Sequence, residues 1–257
     1  MDKATYLRNK EKATAEQAVF KRENLCFKCH WPQKPCLCQQ IQPFETETFF
    51  VLLMHPMEAK KERLGTGRIS HATVKNSQIF LDVDFTEHRG VNAIIHDPKN
   101  LCMVLYPGQN AINLSSDDIS PLLEAKQSGR RLVLFLIDAT WQCANKIITY
   151  SQNIKTLPRL SFTVSQESIF EIKEQPEKHF LSTLESIHVF LTEAHRRGLE
   201  CLPASPQNNL ISVFQYIINF SLECALDPSR SKYRGVITGY TKREDRTRNK
   251  KKQMNPI

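Results

Sequence analysis

The chain of 257 residues has no apolar run approaching the ~20 residues that a membrane span needs, and its opening, MDKATYLRNKEKATAEQ, lacks the apolar stretch of a secretion signal. These absences exclude a helical membrane protein and point to the cytosol. No internal repeat and no low-complexity stretch precedes residue 229, and the hydrophobic content is not that of a disordered chain. Net charge is also missing from most of the chain. Of the 35 Lys and Arg and 27 Asp and Glu, ten basic and two acidic residues fall in 229–257, which leaves 25 of each sign before it. The whole excess of +8 therefore sits in one tail. A basic tail on a neutral body suits a polyanion partner, because each phosphate contact releases counterions; a solubilising end is the other reading.

What the chain does have is a 40% hydrophobic content, enough for a sizeable core, and eight cysteines. Four of these lie within thirteen positions, as Cys26-x2-Cys29-x6-Cys36-x-Cys38. In a reducing compartment such a cluster is a metal site more often than a disulfide framework. Four thiolates are the donor set of a closed, structural tetrahedral zinc site, and Pro32 and Pro35 favour a loop that returns the second pair to the first. His30 is an alternative ligand, and a redox pair or ordinary thiols are the alternatives to a metal. Cys102, Cys143, Cys201 and Cys224 are scattered among apolar residues and read as small buried hydrophobes.

Residues 3–23 carry a helical spacing of apolar residues. Beyond the cysteines come five short apolar runs that read as strands: 49–54 (FFVLLM), 79–83 (IFLDV), 101–106 (LCMVLY), 132–137 (LVLFLI) and 160–164 (LSFTV). FFVLLM and LVLFLI are continuously apolar, as strands covered on both faces of a parallel sheet are. Helical patterns fall at 56–63, 121–127, 140–152, 183–197 and 208–226. The alternation predicts an α/β domain over roughly residues 45–226, with ligands beyond the carboxyl ends of the strands. The resulting division is 1–44 for the helix and cysteine element, 45–228 for the α/β domain, and 229–257 for the tail.

At those strand ends sit the candidate functional residues. After FFVLLM come His55-Pro56-x-Glu58 and then Gly65-Thr66-Gly67-Arg68, a G-T-G turn whose backbone N–H groups can approach an anion; His55 reads as a capping or core histidine. LCMVLY ends at Pro107-Gly108. LVLFLI ends at Asp138-Ala139-Thr140-Trp141, where a carboxylate is placed as a general base or orienting group, or where Asp138 or Thr140 caps a helix over a packed Trp141. In Leu181-Ser182-Thr183-Leu184-Glu185 the spacing of Ser182 and Glu185 is that of a capping box, which also opens a helix start suited to an anion.

In combination, C-x2-C-x6-C-x-C, HP-x-E with TGR, LYPG, D-x-T-W, LPRLS and LSTLE resemble the DTW-domain family of tRNA-uridine aminocarboxypropyltransferases, over roughly residues 24–225. The resemblance implies a SPOUT-like, knotted α/β fold, a zinc-binding amino-terminal element, S-adenosylmethionine as co-substrate and tRNA as partner. It further implies cofactor and active-site positions at Thr66, Gly67, Arg68, Leu105, Tyr106, Pro107, Gly108, Asp138, Thr140, Trp141, Ser182, Thr183 and Glu185, with Asp138 catalytic and Cys26, Cys29, Cys36 and Cys38 on the metal. The alternatives are an S-adenosylmethionine-dependent RNA methyltransferase and a non-catalytic zinc-containing RNA-binding module. The chain departs from the family pattern in residues 162–180, where only Lys173 and Lys178 are basic, so the tail is the expected substitute for RNA contact. Deleting 229–257 is expected to weaken tRNA affinity and to flatten its salt dependence by about 0.7–0.9 for each phosphate that the tail engages, measured as log Kd against log salt; an unchanged slope and affinity would make the tail a passenger.

Overall fold

The computed structural model describes residues 26, 29, 31, 35–61, 65–108, 110–164, 168–169 and 181–226. It divides into two compact units, Met1–Gln42 and Pro43–Ile257. The expected helix at 3–23 and the basic tail lie outside the described residues. In the first unit, the described residues comprise the four clustered cysteines, the buried Trp31 and Pro35, and a single 3-10 turn, Leu37–Gln39.

The second unit is an α/β domain. Its strands are β1 Phe49–Met54, β2 Ser77–Leu81, β3 Asn100–Leu105, β4 Ile112–Asn113, β5 Arg131–Asp138 and β6 Arg159–Ser161. Its helices are α1 Pro56–Lys61, α2 Thr66–Thr73, α3 Arg89–Ile95, α4 Ser120–Gln127, α5 Trp141–Tyr150, α6 Gln152–Lys155, α7 Thr183–Arg196 and α8 Asn208–Leu226. The strands form one sheet in the order β2-β1-β5-β3-β6-β4, and every pairing is parallel. A parallel sheet needs cover on both faces, and the two continuously apolar runs accordingly lie side by side at its centre as β1 and β5. The predicted α/β class with a parallel sheet flanked by helices is what the chain adopts. No helix among the described residues is long and apolar enough to cross a membrane.

Alternation of side chains sends the two halves of each strand into different layers. Val51, Leu53, Val104, Val133 and Phe135 pack with Val91 of α3, Ile147 and Ile148 of α5 and Ile154 of α6. The residues between them face the layer in which α2, α7 and α8 pack together, as the edge-on contact of Phe50 with Phe190 shows, at 5.7 Å between ring centres. On β5 that second row runs Leu134, Leu136, Asp138. Asp138 is thus the polar end of an apolar row, opposite Met54 of β1.

Several elements differ from the sequence reading. The G-T-G segment is the start of helix α2, with Gly65 at its cap; no residue there needs a positive φ, so the glycine pattern alone resembled a turn. Helix α3 carries valine, isoleucines, glycine and asparagine, which are weak helix formers, and its start is fixed by His88, whose Nδ1 accepts from Val91 N–H at 3.3 Å. Two-residue β4 is too short for periodicity to mark. The run at 160–164 is a strand only over Arg159–Ser161.

At the amino end of β1, Glu200 closes the domain. It is 3% exposed, and its carboxylate accepts the N–H groups of Glu47 at 3.0 Å and Thr48 at 2.6 Å, immediately before β1. Phe135 lies wholly inside the sheet's central strand. Phe135→Ala is expected to cost about 3–5 kcal/mol, read as a lowered urea midpoint; a loss under about 1 kcal/mol would contradict this account of the core.

Candidate active site and metal centre

Asp138 occupies the carboxyl end of the central strand and is 5% exposed. Its backbone is locked, because His55 N–H donates to Asp138 C=O at 3.1 Å. His55 itself serves α1: its Nδ1 accepts from Met57 N–H at 3.1 Å, a capping role. The Asp138 carboxylate meets two helix starts. From α7, the Thr183 hydroxyl donates to Oδ1 at 2.7 Å; from α2, the Thr66 hydroxyl lies 3.5 Å from the same oxygen. Gly67 explains how α2 comes so close. A Cβ at that position would lie 2.5 Å from Oδ2 and 2.6 Å from Cγ, so only glycine leaves room for the carboxyl group. The close approach expected of this glycine is made to an aspartate of the same chain.

Ser182 and Glu185 form the predicted capping box. The Ser182 hydroxyl accepts from Glu185 N–H at 3.3 Å, and Glu185 Oε2 accepts from Ser182 N–H at 2.8 Å. Glu185 does more than cap: buried at 4% exposure, it also accepts from Ser168 Oγ at 3.0 Å and Ile169 N–H at 2.9 Å. Its oxygens are therefore spent on holding the chain. Arg68 turns away, donating to Ala59 C=O at 2.8 Å.

A second group assembles at the end of β3. Leu105 pairs with Leu160 of β6, and Tyr106 follows with its hydroxyl donating to Asn145 Oδ1 at 2.7 Å. The ring of Tyr106 lies 6.5 Å from that of Trp141, and the Arg159 guanidinium sits 5.5 Å from its centre. Arg159 Nη1 also donates to Pro107 C=O at 3.1 Å, and a Cβ on Gly108 would come within 2.6 Å of that nitrogen. Burial pushes the Tyr106 phenol above its usual range, and the neighbouring Arg159 offsets part of this. Thr140 stands at the start of α5, yet its side chain makes no capping bond and is exposed. Trp141 is half-buried, so it is not a core tryptophan.

The predicted residues therefore resolve into an Asp138 group (Thr66, Gly67, Thr183), a Tyr106 group (Pro107, Gly108, Trp141), and the Ser182–Glu185 pair that fixes the start of α7. Sequence reasoning missed Arg159 and Asn145 as members of the second group. The arginine was in view inside LPRLS, but nothing in one sequence says that it folds over Tyr106.

In the other unit, the sulfurs of Cys26, Cys29, Cys36 and Cys38 all lie within 4.8 Å of one another. Two pairs are closer, Cys26–Cys38 at 3.7 Å and Cys29–Cys36 at 3.6 Å. A tetrahedron with zinc–sulfur bonds of about 2.3 Å has edges of about 3.8 Å, so the donor set fits such an ion. The Cys26 N–H closes the first loop on Trp31 C=O at 2.7 Å. Burial, then the neighbouring thiols, pushes Cys38 up to about 12; Cys36 is also raised, chiefly by burial. Four thiols this close could hold a metal ion, on which they would ionise.

A model of the DTW domain matches residues 23–222, which takes in the cysteine cluster and the whole sheet. The chain belongs to the DTW-domain family. Among DTW-domain relatives it is 28% identical over 204 residues to the mouse tRNA-uridine aminocarboxypropyltransferase 2, covering 77% of this chain and 63% of that protein. It is 26% identical over 240 residues to the Macaca fascicularis protein of the same name (91% and 76% covered), and 28% identical over 172 residues to that of Drosophila melanogaster (64% of each). The chain thus spans less than two thirds of the mouse and fly proteins. No solved structure matches it.

Gly67→Ala is expected to displace either α2 or the Asp138 carboxyl, at a cost of about 1–3 kcal/mol in a urea titration. Wild-type stability in that variant would mean that the two are not in contact.

Proposed function

We propose that this protein is a tRNA-uridine aminocarboxypropyltransferase of the cytosol, which transfers the 3-amino-3-carboxypropyl group of S-adenosylmethionine to N3 of a tRNA uridine and releases 5′-methylthioadenosine. The observation that carries this reading is the buried Asp138 carboxylate gathered with Thr66, Gly67 and Thr183 at the end of the central strand, in a DTW-domain chain whose relatives bear that activity in their names.

The chemistry sets what the site must supply. The sulfonium of S-adenosylmethionine activates three carbons, and the one that reacts is the one turned toward the nucleophile. Uridine N3 is a poor nucleophile until its proton leaves. Asp138 takes up that proton, or orients the imide for its loss, from a strand end where little water competes. Holding the two reactants in line can supply about 7–11 kcal/mol of the barrier, which makes rigid placement of the surrounding helix starts as important as the base. Tyr106, Pro107, Gly108, Thr140 and Trp141 are assigned to the nucleoside end of the co-substrate. Its carboxylate is assigned to the start of α7 at Ser182 or to Arg68, which would have to leave Ala59 C=O to reach it. Cys26, Cys29, Cys36 and Cys38 hold zinc as a closed, structural site, and the tail at 229–257 grips the tRNA backbone.

The by-product identifies the reaction. Incubation with S-adenosylmethionine and tRNA is expected to yield methylthioadenosine and a uridine heavier by the aminocarboxypropyl group; S-adenosylhomocysteine would instead identify a methyltransferase, and absence of cofactor binding a non-catalytic module. Asp138→Asn keeps the shape and removes the basicity, so kcat should fall by about 10²–10⁴-fold in a protein that still melts cooperatively. Undiminished transfer by that variant would remove Asp138 from the proton path.

A further inference from the structure

Asp138 is 5% exposed, whereas Thr183, which donates its hydroxyl proton to Asp138 Oδ1 at 2.7 Å, is only half-buried. Among the described residues the Thr183 oxygen accepts no hydrogen bond, so a lone pair on it remains open to a donor from outside. Building on the reaction proposed above, we infer that Thr183 is the catalytic group that touches the nucleophile, relaying the proton of uridine N3 to Asp138.

The step balances as follows. The N3–H bond breaks as its proton passes to Thr183 Oγ1, and the hydroxyl's own proton passes to Asp138 Oδ1. The N3 electron pair forms the bond to the γ-carbon of the methionine moiety, and the carbon–sulfur bond breaks with its pair going to sulfur. Sulfonium and carboxylate are consumed together, leaving neutral methylthioadenosine, a carboxylic acid and a restored threonine. The hydroxyl is held for this task on three sides. Ser182 and Glu185 fix the first turn of α7 by their capping box, Thr66 lies within 3.5 Å of the same carboxylate oxygen, and Gly67 lets α2 close over Oδ2.

Four other titratable groups at these strand and helix ends have other partners. His55, leaving β1, caps α1 through Nδ1; Arg68 of α2 donates to Ala59 C=O; Glu185 of α7 holds Ser168 and Ile169; Tyr106, leaving β3, donates to Asn145. Asp138 is therefore the acceptor to which Thr183 delivers the proton.

The test compares Thr183→Val, Thr183→Ser and Asp138→Asn in the full chain, with tRNA and S-adenosylmethionine, from neutral to alkaline pH. Thr183→Val should lower kcat by about 10²–10⁴-fold near neutral pH, with KM for S-adenosylmethionine within about twofold of wild type. Its rate should recover as pH rises into the range where uridine N3 ionises unaided, in parallel with Asp138→Asn, because both variants lack a path for the same proton. Thr183→Ser, which keeps the hydroxyl, should return to within about tenfold of wild type. Thr183→Ala replaces the valine variant if thermal melting shows that valine disturbs the fold. A wild-type rate without the hydroxyl overturns the relay, and so does a rate lowered by the same factor at every pH, which would mark a purely structural threonine. If wild-type protein forms no aminocarboxypropyluridine, the reaction itself is misassigned; if it does and only the threonine variants behave like wild type, the relay alone fails.

Discussion

A carboxylate removed from water must be solvated by the protein, and at Asp138 that solvation comes from a hydroxyl of one helix and the opening turn of another. The remaining features of the domain can be traced from this contact. Because Leu134 and Leu136 precede Asp138 on the same face of β5, burying the strand necessarily brings the aspartate against the layer of α2, α7 and α8. The neighbouring strand β1 then fixes its height: Met54 lies opposite in the ladder, and the next N–H, that of His55, binds the Asp138 carbonyl. Replacing Gly67 with any larger residue would force apart α2 and the Asp138 carboxyl group, so one missing methyl group sets the spacing of the site.

The capping box at Ser182–Glu185 shows how structural and chemical roles coincide. On sequence alone, cap and ligand site are two readings of the same five residues that can hold together. In the structure the box orients the first turn of α7, and that turn aims Thr183 at Asp138. Glu185 extends the arrangement to Ser168 and Ile169, so the far end of the 160s segment is tied to the same helix start. On the β3 side, Arg159 performs a similar service for the Tyr106–Gly108 turn, clasping Pro107 and filling the space that Gly108 leaves.

Much of this is legible in the amino-acid sequence. Five of the six strands and the longer helices announce themselves by apolar runs and their spacing, because burial on both faces of a parallel sheet leaves a strong signal. The candidate residues could be placed at strand ends for the same reason. What stayed illegible was partnership. Gly67 reads as a turn residue until the carboxyl group that excludes its side chain comes from 71 positions away. Arg159 gives no local hint of lying over Tyr106, and helix α3 is built of residues with little helical preference, held by a histidine cap and by Val91 in the core. Sequence periodicity reports which face is buried; it does not report what lies on the other side.

The ladder carries a consequence for biosynthesis. Phe49 pairs with Val133, and the N–H groups just ahead of β1 are satisfied by Glu200. FFVLLM, apolar from end to end, must therefore leave the ribosome and wait for its central neighbour, a delay on the order of seconds at roughly 5–20 residues per second. During that interval only β2 can pair with it and its β5 edge stays open and sticky, so the nascent polypeptide has need of a chaperone before the second half of the domain has been made.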